Sequence, residues 1–363
     1  MTVTFAEKLA SIPGYTAGVP KGHAPEAIAD SRIAQLASNE SPFGPHPAVV
    51  EAIARAAAAA NRYPDPDATL LRRRISERFE VDSPQIAVSN GSCEVLLAAA
   101  LALCEPGAEI VYAWPSFSIY PYLAPLSGAR EIRVPLTDSD EHDLDAIAAE
   151  ITAATQLAIV CNPNNPTSTH IPADRIGAFL ERVPGHVTVL LDEAYIEFQT
   201  NDDPDATADL RRDFPNLVVL RTFSKVYGLA GLRVGYALCA PAFRAAIDAV
   251  RQPFSVNAVA QAAAAEAIRH QDDVARRVEQ TIVERVRVEE GVRELDLRTP
   301  DSQANFSWVD LGDADEDEVV ARLADAGVIV RAGTPLGGPG HVRVTYGAPE
   351  ENRRLLEALA AAT

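Results

Sequence analysis

Between residues 86 and 250 the chain repeats one unit: a short, mostly apolar run, then a stretch with helical periodicity. The runs are 86–89, 109–112, 131–134, 157–160, 187–191, 217–220 and 234–238; residues 94–103 and 173–182 are two of the helical stretches. Few folds accept that alternation. A strand with one wet face shows every second residue polar, whereas most of these runs stay apolar, so both faces are covered. Strand–helix–strand units of this kind build a mostly parallel sheet with helices on both sides. Residues 272–295 then read as one long connecting helix. A strand (305–311), a helix (316–326), two short strands (328–331 and 341–346) and a terminal helix (349–361) follow, a smaller α+β lobe. The predicted class is α/β, with a larger domain over residues 46–270 and a smaller one over 271–363. Residues 1–45, rich in Pro and Gly, are expected to lie on the smaller domain. The alanine-rich stretch 52–60 reads as helix, since alanine is the best helix former.

The sheet alone says little about chemistry, but composition removes whole classes. A net charge of −19 disfavours nucleic acid and anionic membranes as partners. It does not forbid anionic substrates, because arginines can reverse the field inside a cleft. The longest strongly apolar run, 95–103, is about half the length of a membrane span. Residues 1–15 lack the basic start and apolar run of a signal peptide, so the chain reads as cytoplasmic. Cys93, Cys104, Cys161 and Cys239 show no CxxC spacing and no His pairing, which argues for reduced thiols and no metal site. GxGxxG is absent, so a dinucleotide site has no support.

In an open parallel sheet, ligands sit beyond the carboxyl ends of the strands. Polar residues fall there repeatedly. The run 217–220 leads into Arg221-Thr222-Phe223-Ser224-Lys225, with Arg233 eight positions on. A lysine can form an imine with an aldehyde, and hydroxyls with a guanidinium can hold a phosphate. Pyridoxal 5'-phosphate carries both groups on one small ring. Taken alone, the segment also fits a surface loop. The run 86–89 leads into Asn90-Gly91-Ser92-Cys93, a glycine turn opening a helix; it suits a phosphate, or simply an N-cap at Ser92. Residues 161–168 contain two Asn-Pro pairs, in which the residue before each proline is held extended. The run 187–191 ends in Asp192-Glu193-Ala194-Tyr195. A carboxylate against a buried strand needs a positive partner, such as a protonated pyridine, unless Asp192 caps a helix.

Each motif is ambiguous, but their order is not. On these residues the chain resembles the fold type I pyridoxal-phosphate enzymes, specifically the class I/II aminotransferases, over essentially its whole length. It is similar to the histidinol-phosphate aminotransferase branch through residues 36–45, 62–65 and 228–233. Within that branch it looks most like aromatic (phenylalanine) aminotransferases through residues 134–138, 162–169, 221–237, 302–306 and 347–352.

The resemblance implies roles. Lys225 would condense with the aldehyde and move the α-proton. Asp192 would face the pyridine nitrogen, and Phe117 would stack on the ring. Asn165 and Tyr195 would bond the ring oxygen. The backbone at Ser92 and Cys93, with Thr222, Ser224 and Arg233, would hold the phosphate. Tyr63 would reach the phosphate of a neighbouring subunit, which implies a homodimer. Arg343 and Asn39 would bind the substrate carboxylate, with Tyr15 and Arg331 near its side chain. Ser168 stands where many family members carry glycine, and Cys93 where histidinol-phosphate enzymes usually carry an acid. The implied reaction moves the amino group of an aromatic amino acid to 2-oxoglutarate. Histidinol phosphate is the alternative donor, and a decarboxylase on the same cradle is a more distant one. A regulator of this fold would need a DNA-binding module, for which the length and acidic charge leave no room.

Overall fold

The computed structural model describes residues 5–12, 14 and 33–363. Strand β1 (Ala34–Gln35) pairs in parallel with β10 (Val328–Ile329). The main sheet holds β2 (Ile86–Ser89), β3 (Glu109–Trp114), β4 (Arg130–Pro135), β5 (Thr155–Cys161), β6 (Thr188–Asp192), β7 (Leu217–Thr222) and β8 (Gly235–Leu238). Its order is β2-β8-β7-β6-β5-β3-β4. All neighbours are parallel except β8, which runs against both β2 and β7.

Two apolar clusters explain the unbroken runs. Along β5, Leu157 and Ile159 pack with the helices Ser92–Leu103, Tyr120–Ser127 and Pro241–Val250. Ala158 and Val160 face the other way, against Thr69–Phe79, Ala173–Arg182 and Ala258–Ala267. Successive strand residues point to opposite faces, so a sheet covered twice needs apolar residues at every position.

The second lobe is built on β9 (Phe306–Asp310), β11 (Arg331–Ala332) and β12 (His341–Thr345), antiparallel in the order β11-β12-β9. Its core includes Val309, Leu323, Val342 and Leu355, and takes in Ala34 and Leu36. The helix Gln271–Glu294 joins the lobes: Val274 and Val278 lean on the large core, while Val288 and Val292 enter the small one.

Three details differ from the sequence expectation. The single strand expected over 328–331 is two, because the chain changes partner from β1 to β12 at Val330. The alanine-rich helix begins earlier, at Pro47–Ala57, where His46 Nδ1 caps the Ala48 amide at 3.2 Å and Pro47 occupies the first position. At the N-terminus, β1 joins the small lobe, but the turn Glu7–Ser11 lies against the large one, with Lys8 Nζ donating to Leu126 O at 3.2 Å.

Candidate active site

Since β2, β3, β5, β6 and β7 point the same way, their carboxyl ends share one edge of the sheet. Because β8 is reversed, its start lies at that edge instead of its end. Arg233 therefore arrives beside Lys225, and Gly235 sits in register between Ser89 and Thr222. A Cβ on Gly235 would stand 2.7 Å from the Ser92 amide nitrogen and 3.0 Å from Arg221 O. A Cβ on Gly91 would collide with the Arg233 guanidinium. Glycine at these two positions lets the turn, Thr222 and Arg233 close on one another. Thr222 Oγ1 donates to Ser224 Oγ at 3.0 Å, and Arg233 Nη1 donates to the same oxygen at 3.3 Å. Gly91, with φ +74, is the N-cap, and no side chain caps this helix. Ser92 is its first residue, so the N-cap reading of Ser92 is corrected. The Ser92 and Cys93 amides belong to the first turn, where N–H groups lack helical partners.

Strand parity sets the next residue. Leu190 and Leu220 belong to the cluster beneath helix Ser92–Leu103, so Asp192 and Thr222, two positions on, project from the same face. Asp192 ends β6, 2 % exposed, and caps no helix. Its Oδ2 accepts from Tyr120 Oη at 2.9 Å, while Oδ1 is buried without a partner. Burial pushes its carboxyl up to about 6, with the Tyr120 hydrogen bond opposing. Lys225 Nζ donates to Ser38 O at 3.1 Å and stands 5.5 Å from the Tyr195 ring centroid. Desolvation, then the Arg343 guanidinium, brings its amine down to about 8.

The second lobe closes the other side. Arg343 and Arg331 are register partners on β12 and β11, and both are buried. Arg343 donates from Nη1 to Asn165 Oδ1 and from Nη2 to Ala37 O, each at 2.6 Å. Tyr195 Oη accepts from Asn39 Nδ2 at 3.1 Å and from Asn165 Nδ2 at 3.4 Å. Asn39 holds a left-handed φ of +53, secured by its amide donating to Thr345 Oγ1 at 2.9 Å.

Thirteen of the fifteen predicted site residues thus line or adjoin two joined cavities of about 300 and 450 Å³. Phe117 lines both, its ring edge-on to Tyr120 at 5.7 Å. Tyr63 lies apart, 83 % exposed and stacked on Phe254 at 4.7 Å. Tyr15 lies outside the described residues. The charged residues lining the two cavities are Lys225, Arg233, Arg331 and Arg343 against Glu40 and Asp192, a local positive surplus in an acidic chain. A larger cleft of about 610 Å³, lined by Asp138, Asp140, Arg298 and Asp310, contains none of the predicted residues. Sequence reasoning missed Tyr120, Ser38 and Glu40. Tyr120 had one signal: it lies three positions after Phe117, at a helix start.

A family model described as "Aminotransferase class I and II" matches residues 31–359. The chain belongs to this family. It is 46% identical to the aromatic amino acid aminotransferase of Thermobifida fusca, covering 90% of this chain and 89% of that one. It is 41% identical to the histidinol-phosphate aminotransferase of Geobacillus thermodenitrificans, covering 97% and 96%. Among solved structures, it is similar to the histidinol-phosphate aminotransferase of Sinorhizobium meliloti in complex with pyridoxal-5'-phosphate. That match has TM-score 0.88 and 29% identity, and covers 100% of this chain and 98% of that one.

Two departures from the aminotransferase pattern now have a structural meaning. Ser168 is buried at φ +61, a conformation glycine adopts freely and other residues at about 1–2 kcal/mol. Its amide offsets this by donating to Asn164 O at 2.8 Å, and its hydroxyl by donating to Thr167 O at 2.6 Å. Cys93 is half-buried and lines both cavities. Burial raises its thiol pKa, with the Asp192 charge adding to the effect.

Proposed function

We propose that this aminotransferase uses pyridoxal 5'-phosphate to move the amino group of an aromatic amino acid to a 2-oxo acid such as 2-oxoglutarate. The observation that carries the cofactor reading is Asp192 Oδ1, a buried carboxylate oxygen without a partner, in one cavity with Lys225 and the Ser224–Arg233 cradle. A carboxylate left in that state asks for a cationic N–H. When bound, the cofactor would supply an aldehyde carbon to accept the amino group and a cationic ring to store the electron pair released at the α-carbon.

The residues divide the remaining work. Thr222, Ser224, Arg233 and the Ser92 and Cys93 amides hold the phosphate, and Asn165 and Tyr195 hold the ring oxygen. Phe117 packs on the ring face. Lys225, with its amine near 8, can give up and retake a proton at neutral pH. Arg343, with Asn39 beside it, clamps the substrate carboxylate. Tyr63, exposed and outside its own chain's cavity, serves a second copy in a homodimer.

The aromatic donor rests on the relatives and on the substrate end of the cavity, where Phe117, Ile119 and Leu336 offer apolar surface. A second reading, histidinol phosphate, has one observation in its favour: Arg331 beside Arg343 could meet a second anionic group. Half-reactions decide. The cofactor-loaded enzyme is mixed separately with phenylalanine, tyrosine, histidinol phosphate and leucine, and the loss of cofactor absorbance is timed. Phenylalanine or tyrosine should react fastest. Histidinol phosphate reacting faster transfers the assignment to the second reading, and carbon dioxide in place of an oxo acid removes transamination.

A further inference from the structure

Tyr120 has no part in the roles above, yet it makes the one side-chain hydrogen bond to Asp192 among the described residues. It opens the helix Tyr120–Ser127, fully buried, 72 positions before its partner in sequence. Its ring is edge-on to Tyr112 at 5.6 Å and to Phe117 at 5.7 Å, so the phenol has little room to turn. Burial and the neighbouring Asp192 charge raise its pKa well above the usual value, so the hydroxyl keeps its proton and remains a donor. The result is asymmetric. One Asp192 oxygen is occupied by a neutral donor from behind; the other is left open.

We infer that Tyr120 is a positioning residue that fixes which Asp192 oxygen meets the ring nitrogen of the cofactor. The inference rests on reading this cavity as a pyridoxal-phosphate site. A carboxylate with both oxygens free can rotate, and its stronger basicity lets it strip the proton from a facing pyridinium. A donor on Oδ2 opposes both, since a hydrogen bond to the charged form favours that form. Tyr120 thereby helps to keep the charge on the ring without touching it.

An ordinary core tyrosine would also be buried and hydrogen-bonded, so the test has to see the ring nitrogen itself. Tyr120→Phe removes the hydroxyl and keeps the ring. The dissociation constants of the apoenzyme for pyridoxal 5'-phosphate and for its 1-deaza analogue, which has CH in place of the ring nitrogen, are measured by equilibrium dialysis. The parent should prefer the natural cofactor, because only that ring can answer Asp192. In Tyr120→Phe the preference should narrow by about tenfold, the scale of one hydrogen bond to a charged group. Equal weakening of both ligands, with the preference unchanged, overturns the inference while leaving the site reading intact. A parent that binds both equally, or binds neither, sinks the site reading and the inference together. Tyr120→His, which returns an N–H donor, is the rescue arm. Recovery of the preference supports the assignment, and a folded Tyr120→His that behaves like Tyr120→Phe counts against it.

Discussion

Asp192 and Glu193 are consecutive, both carboxylates, and both buried, yet the protein treats them in opposite ways. They project from opposite faces at the end of β6. Glu193 is closed: Thr207 Oγ1 donates to one oxygen and Arg221 Nε to the other at 2.9 Å, and Arg221 continues to Asp205 at 2.8 Å. Asp192 has Tyr120 on one oxygen and nothing on the other. Burial raises both pKa values, but the Arg221 charge offsets the penalty at Glu193, whereas at Asp192 the opposing Tyr120 donor is neutral. A buried ion pair with both carboxylate oxygens answered is architecture. A buried acid with one oxygen unanswered is a binding site waiting for a cation.

The contrast implies that residues on the open face cost activity when changed, and those on the closed face cost stability. The largest effect should come from Lys225→Ala. Turnover with the best amino acid should fall by at least about a thousandfold, the scale of a lost catalytic base. Thermal unfolding of the apoenzyme should stay near that of the parent, since Lys225 is half-buried and its side chain is anchored by one hydrogen bond, to Ser38 O. Transamination persisting in this variant would remove Lys225 from the chemistry.

The sharpest comparison is the pair of isosteric amides. Glu193→Gln leaves Arg221 buried with less charge to meet, and should cost about 3–5 kcal/mol in denaturant unfolding. Asp192→Asn takes an unanswered charge out of the interior, so apoenzyme stability near neutral pH should hold or rise while turnover falls. If both variants unfold alike, the distinction between the two acids is wrong.

Acid titration gives the same contrast a sign. Asp192 has a folded value of about 6 against 3.8 for the ordinary carboxyl. Between those values the folded apoenzyme binds more protons than the unfolded chain, so stability falls as pH rises through the window. The stability is fully present below about 4 and lost above about 6, a change of about 3 kcal/mol for this one group. Subtracting the unfolding free energy of Asp192→Asn from that of the parent, from pH 4 to pH 6.5, isolates the contribution. A flat difference would mean that Asp192 is ionised throughout.

Much of this arrangement was legible because it is local. Each run of β2, β5, β6 and β7 carries its functional residues in the few positions after its last apolar residue, so strand and site were read together. What escaped was long-range or directional. An apolar run looks the same in either direction, so nothing in residues 234–238 announced that β8 is reversed, although that reversal delivers Arg233. Tyr120 meets Asp192 across 72 positions and looks like core in an aromatic stretch. The Arg221–Glu193 pair follows from the strand register, in which Asp192 sits opposite Leu220 and each partner is the next residue along, and that register is fixed only once the strands pair. The carbonyls of Ala37 and Ser38 that hold Arg343 and Lys225 carry no side-chain signature at all.

The smallest of these effects should come from the second lobe, and it tests how far the open face extends. Arg343 is held by Asn165 Oδ1 and Ala37 O, both neutral oxygens, where Arg221 is held by carboxylates. These two bonds fix the guanidinium at the cavity wall, where its fork of donors suits a substrate carboxylate. Arg343→Ala should therefore raise KM for amino acid and oxo acid alike by about tenfold or more, with a smaller change in kcat. Arg343→Lys should recover only part of the loss, because an ammonium cannot bind a carboxylate with two parallel N–H bonds while spanning to Asn165. Equal rises for both substrates mark a shared carboxylate site. A rise for one alone would place the other's carboxylate elsewhere, with Arg331 the adjacent cation to test, and an unaltered KM for both would close the open face at the edge of the large sheet.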